Sequence, residues 1–206
     1  MAKITSLTNL EIRLLNFFIE HIKEEFGIRE ISRLTKIEYK SIHSTIKKLA
    51  KKEVLLKQRR ANVDLCSLNL KDDLTSVLFV EMIRKRTFLL KHKNLERFFV
   101  NVLEKTKEIY FTLVIFGSFA KDKERKNSDL DLLIIAPARD IAEEIQRIIN
   151  SEAFLLKRNI QSILLDEKEF ISNLSDKKLN VVVEAFKNHI IITGIESFYE
   201  GVKKSL

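Results

Sequence analysis

The chain has 206 residues, 45% of them hydrophobic, which is enough for one or two domains with a sizeable core. Four Gly and one Pro argue against long linkers and disorder, and no run of about 18 apolar residues offers a helical membrane span. The net charge of +8 is uneven: +6 in residues 1–70, +4 in 71–107 and −2 in 108–206. The basic excess in the first half points to a polyanion partner there.

Glu11 and Arg13 interrupt any apolar block of the signal-peptide kind. A single cysteine, Cys66, makes no internal disulfide and reads as small buried core in a reducing cytoplasm.

Leu7, Leu10, Leu14, Phe18, Ile22 and Phe26 recur at three- and four-residue steps, one face of an amphipathic helix. Thr8 or Asn9 suits its start, and Gly27 its end. A shorter helical piece follows with Ile28, Ile31 and Leu34. The next helix has Tyr39, Ile42, Ile46 and Leu49 on one face, with Lys40, Ser41, Ser44, Lys47, Lys48 and Lys51 on the other. After Glu53, VLLKQRRANVDLCSLNL suits two short strands around Arg59-Arg60-Ala61-Asn62.

The stretch ISRLTKIEYKSIHSTIKKLAKKEVLLKQ resembles the helix-turn-helix and wing of many prokaryotic regulators. The resemblance implies a second helix, Tyr39 to Lys52, in the major groove of double-stranded DNA. Lys40, Lys47 and Lys48 would then meet phosphates, and Ser41, His43 and Ser44 would approach base edges. Arg59 and Arg60 would reach the backbone or the minor groove. Winged helices also serve as protein-docking modules, and His43 read alone is an ordinary surface histidine.

Residues 71–107 lack Gly and Pro and read as two connecting helices. Asp72 and Asp73 favour the start of the first, whose apolar face is Leu74, Val77, Leu78, Met82 and Ile83. The second, Leu95 to Lys107, carries Leu95, Phe98, Phe99, Val102 and Leu103 as core, or as the surface of a homodimer.

From Ile109 the period changes. Ile109 to Phe116 is β-branched and aromatic, a buried strand broken by Gly117-Ser118. Asp129 to Ile135 is a second strand, Asp140 to Asn150 a helix, Ile160 to Leu165 a third strand, and Glu167 to Leu174 a helix. The tail from Lys177 reads as mostly helical, with a break at Gly194. The fold class is α+β: a winged helix-turn-helix domain (1–70), connecting helices (71–107) and a small α/β domain with a mixed sheet (108–206).

Asp129 and Asp131 lie two apart, so their side chains share one strand face, about 7 Å apart along the chain, while Leu130 and Leu132 point into the core. Two carboxylates so placed repel unless a cation lies between them. Hard divalent cations, Mg²⁺ or Mn²⁺, take carboxylate oxygens and keep positions for substrate phosphates. Two such ions about 3.5–4 Å apart can clamp the attacking and leaving oxygens of a phosphoryl transfer. Gly117 lets backbone pass close to phosphate, and Ser118 adds a hydroxyl and an amide. In outline this is a nucleoside triphosphate site.

FGSFAKDKERKNSDLDLLII, with ten residues between Ser118 and Asp129, resembles the motif of the DNA polymerase beta-like nucleotidyltransferase superfamily. Among its members the chain is most similar to the minimal nucleotidyltransferases of bacteria and archaea, over roughly residues 109–195. The resemblance implies that Gly117, Ser118 and Ser128 hold ATP or another triphosphate, with Lys121 near its phosphates. It also implies that Asp129 and Asp131 bind the metal and carry catalysis. Active members usually add a third carboxylate from the next strand. Here Gln161 is the best-matching position, and Asp166 is expected to cap the following helix.

Three functions follow as expectations. One is transfer of a nucleoside monophosphate from Mg-NTP to a hydroxyl of a protein, a small molecule or RNA. Another is a DNA-binding regulator that senses nucleotide without turnover. The third is an antitoxin-type protein that modifies or blocks a partner.

Overall fold

The computed structural model describes residues 7–72, 74–156, 158–176 and 181–205. Asp73 and Lys177, read above as a helix start and the start of the tail, lie outside the described residues. The chain divides into two compact units, Met1–Val80 and Glu81–Leu206.

The first unit opens with α1 (Asn9–Glu20). Thr8 caps it through a capping box, in which Thr8 Oγ1 accepts from Glu11 N and Glu11 accepts from Thr8 N. Glu11 also takes Lys52 Nζ at 3.1 Å, and these bonds outweigh its burial and hold its carboxyl below the usual range. The helix stops well short of Phe26. Phe26–Gly27 forms β1, paired antiparallel with Leu65 and Cys66, so Gly27 belongs to a strand and precedes the next helix instead of ending the first. The non-local pairing claims these residues over the helical period.

Helices α2 (Ile28–Thr35) and α3 (Tyr39–Lys51) follow, burying Ile28, Ile31, Ile42, Ile46 and Leu49. Strands β2 (Leu55–Arg60) and β3 (Val63–Leu68) make a hairpin that turns at Ala61-Asn62, with Ala61 at φ 51°. The sheet order is β1-β3-β2. Cys66 is fully buried, and burial pushes its thiol up to about 11, as suits inert core.

Helix α4 (Thr75–Lys91) runs across the boundary between the units. Met82, expected on its apolar face, is 60% exposed, and the neighbouring Glu81 is buried instead. Glu81 turns inward because Tyr199 and His189 meet its carboxylate at 2.7 and 2.8 Å.

The second unit continues with α5 (Lys93–Lys105), β4 (Thr112–Phe116), the short α6 (Gly117–Ala120), β5 (Leu130–Ala136) and α7 (Arg139–Glu152). Then come β6 (Ile160–Asp166), α8 (Glu167–Ser175), α9 (Val181–Lys187), β7 (Ile190–Thr193) and α10 (Ile195–Lys204). The mixed sheet has the order β6-β5-β4-β7. Only β5 and β6 are parallel, as the crossover through α7 requires. Ile190–Thr193, read above as part of a helical tail, is thus an edge strand antiparallel to β4.

Leu130, Leu132, Ile134 and Ala136 of β5 join the core that α5 and α7 cover. The alternate residues Leu133 and Ile135 are buried too, while α8, α9 and α10 also pack on the sheet. Phe98 and Phe99 are core, as their helical spacing suggests. A strand buried on both faces leaves little room for a carboxylate, and Asp131 sits in this one.

Candidate active site

The site is made where β4 ends and β5 begins. Asp131 is the register partner of Phe116 on β4, the residue before Gly117. Gly117 turns the chain into α6 with φ at 69°, a left-handed conformation that side chains rarely adopt. A Cβ at Gly117 would lie 2.0 Å from Asp131 Oδ2. The glycine therefore lets the backbone close onto the carboxylate, and no other residue fits without displacing it.

Asp129 and Asp131 are half-buried. Burial pushes the Asp131 carboxyl above its usual range, and the charge of Asp129 pushes it the same way. On the other side of β5, Gln161 is the register partner of Asp131. Its Nε2 donates to Asp129 Oδ2 at 2.6 Å. An amide therefore stands beside the acidic pair on the next strand, at the position where the family resemblance leads one to expect a third carboxylate. Among the described residues, no third His, Cys, Asp or Glu joins Asp129 and Asp131 at ligating spacing. Asp166 lies five residues further along β6 and caps α8 through a capping box with Glu169.

Ser118 and Lys121 are half-buried in and just after α6, where Lys121 N donates to Gly117 O at 3.2 Å. Ser128 shapes the loop before β5: its Oγ accepts from Arg125 N at 2.8 Å, and its carbonyl accepts from Arg158 Nη1 at 3.1 Å. Arg158 also lies over Phe119, 5.2 Å from the ring centroid. A cleft of about 480 Å³ opens beside Asp129, lined by Ser128, Lys126, Phe154 and Arg158. Arg158 and the exposed Phe154 do not stand out in the sequence, because only the parallel pairing of β5 and β6 brings their segment to Asp129.

Residues 99–197 match the family model described as Polymerase beta, Nucleotidyltransferase. The matched segment runs from α5 into the start of α10 and includes Gly117, Asp129, Asp131 and Gln161. It supports a nucleotidyltransferase-type function for the second unit, with a nucleoside triphosphate as substrate. No curated protein and no solved structure matches the chain.

In the first unit, Lys40, Ser44, Lys47, Lys48 and Arg59 are exposed. Ser41 Oγ donates to Glu38 at 3.1 Å, and Ser44 Oγ to Ser41 O at 3.0 Å. Arg60 is paired with Glu25 at 2.9 Å. Tyr39 and Arg59 line one cleft of about 480 Å³, which Glu30 and Asp64 also line.

Proposed function

We propose that the second unit transfers a nucleoside monophosphate from Mg-NTP to a hydroxyl acceptor and releases pyrophosphate. The observation that carries this is Gly117, closed onto Asp131 so tightly that no side chain fits between them. A turn under that constraint fits a backbone that receives phosphate beside an acidic strand.

The fit to a divalent cation rests on the donor set. Two carboxylates flank Leu130 where β5 begins, and burial together with the charge of Asp129 holds Asp131 above its usual range. Asp129 and Asp131 would hold the ion, which when bound offsets their repulsion and polarises phosphate oxygens. The chain's own part is positioning. The Gly117-Ser118 turn sets backbone against the phosphates, and Lys121 adds positive charge after it. Gln161 orients Asp129 through its amide.

Asp129→Ala combined with Asp131→Ala is expected to reduce Mg²⁺-dependent labelling by radioactive NTP to background. Labelling at the wild-type level would sink the assignment.

Gln161 favours a second reading, in which the domain binds nucleotide without efficient turnover. An amide donates a hydrogen bond but is no base toward an attacking hydroxyl. General-base assistance is worth about 10²–10⁴-fold. If the missing base limits the rate, Gln161→Glu raises pyrophosphate release within that range. Robust release by the unmodified chain would remove the sensor reading.

For the first unit, the proposal is a winged helix-turn-helix with α3 in the major groove and the β2–β3 hairpin as wing. It is supported by exposed Lys40, Lys47 and Lys48 on α3, and by Arg59 and Tyr39, which line one cleft. A lysine-borne contact of this kind shows as a steep loss of affinity with salt. Failure to retard any duplex at low salt would remove the DNA half of the proposal.

A further inference from the structure

A second set of metal-ligating side chains lies in the second unit, outside the acidic strand. His92 stands between α4 and α5, while Asp122 and Glu124 belong to the loop that follows the Gly117-Ser118 turn. One ligand atom from each lies within 4.8 Å of the other two. His92 Nε2 is 3.7 Å from Glu124 Oε1. That nitrogen is buried and makes no hydrogen bond among the described residues. The ring is held by Phe88, with centroids 4.5 Å apart, and by Phe119 at 5.7 Å. A buried polar nitrogen without a hydrogen-bond partner is costly in a folded protein, and a metal ion would satisfy it.

We propose that His92, Asp122 and Glu124 bind a transition-metal ion of the Zn²⁺ class and so tie the 121–127 loop to the α4–α5 junction. The donor set selects the ion. Imidazole with carboxylates suits Zn²⁺, Co²⁺ or Ni²⁺, whereas Mg²⁺ prefers oxygen donors alone. Zn–N and Zn–O bonds of about 2.0–2.2 Å allow two ligand atoms to stand up to roughly 4 Å apart. The His92–Glu124 separation already fits, and a small movement of the exposed Asp122 carboxylate closes the remainder. Lys91 Nζ competes for Asp122, but both partners of that ion pair are more than half exposed, so it yields easily. Three protein ligands leave a position for water.

The loop so fastened carries Lys121 at its start and leads into Ser128 and Asp129, so metal occupancy would set the shape of the triphosphate site. The proposal does not depend on that site being active.

The test is titration of the full chain with Co²⁺ in excess Mg²⁺, followed by the visible absorption of nitrogen-ligated Co²⁺. One ion per chain is expected. His92→Ala and Glu124→Gln should each lower Co²⁺ affinity at least about tenfold, the scale of lesser changes around metal sites. Lys91→Ala should bind as tightly or more tightly. Asp129→Asn with Asp131→Asn should leave the signal unchanged. Unaltered Co²⁺ affinity in Glu124→Gln, which keeps the shape of the side chain, would overturn the proposal even if His92→Ala fails to fold. Loss of the signal in the Asp129/Asp131 double variant would overturn it as well, by placing the ion on the acidic strand.

Discussion

Glu81 and Asp131 are both carboxylates drawn out of water in the second unit, and their surroundings treat them in opposite ways. Burial pushes Glu81 up, but His189, Arg84 and Tyr199 together outweigh it and hold the group below the usual glutamate range. His189 Nε2 and the Tyr199 hydroxyl meet Glu81 Oε1 at 2.8 and 2.7 Å, and Arg84 Nε lies 3.3 Å from Oε2. His189 Nδ1 in turn faces Phe186 O at 2.7 Å. Asp131 has a like charge for a neighbour, and burial and Asp129 both push it up. A compensated carboxylate holds a fold together. One left uncompensated costs stability, the kind of cost that binding sites carry.

The largest test of that contrast is Glu81→Gln. Removing one member of a buried charged network is expected to cost about 3–5 kcal/mol, read as a fall in Tm or in the denaturant midpoint. Triphosphate binding should survive at a temperature where the variant is folded. The pH dependence follows from the sign of the shift. A carboxyl held low in the fold contributes its full stability above the usual glutamate range and loses it as pH falls through the depressed folded value. The variant should therefore have a flatter acid limb than the wild type. A change under about 1 kcal/mol would place the network among interactions the fold can do without.

Gly117→Ala comes next. The left-handed φ of 69° costs a non-glycine residue about 1–2 kcal/mol, and the new methyl must also displace the Asp131 carboxylate. Loss of Mg-NTP binding is expected to accompany the modest loss of stability, measured by equilibrium binding of a fluorescent triphosphate. Wild-type binding would show that the close approach of this turn to Asp131 is not needed.

The two carboxylates also differ in how they read from sequence. Asp129 and Asp131 were legible because a two-residue spacing in an apolar strand is a local pattern, as are the Thr8 and Asp166 caps three residues from their glutamates. Gln161 was legible only through the resemblance, and the parallel register sets it beside Asp131. Glu81 was hidden in an apolar helix face, since its partners lie 108 and 118 residues away. The same distance problem concealed His92 with Asp122 and Glu124, and gave Phe26–Gly27 to a helix when β3 claims it. Ile190–Thr193 is only four residues long, three isoleucines and a threonine, too short for its period to separate strand from helix.

The smallest effect is also the one with the unusual sign. Asp131→Asn removes a like-charge repulsion and a partly buried charge, so after solvent screening it should stabilise the metal-free protein by about 1 kcal/mol or less. Because Asp131 is held above its usual range, its penalty is absent in acid, grows as pH rises from the usual aspartate range to the raised folded value, and is complete above it. The advantage of the variant should therefore appear across that window and persist at neutral pH. Mg²⁺ should reverse the order: binding to the folded state raises the Tm of the wild type and does little for Asp131→Asn. Protons and Mg²⁺ compete for the same carboxylate, so the Mg²⁺ effect should fade as pH falls through that window. A variant less stable than wild type at neutral pH without metal would mean that Asp131 has a favourable partner in the fold. It would then stand with Glu81 as a compensated group, and the case for a cation at the acidic pair would rest on the Gly117 turn alone.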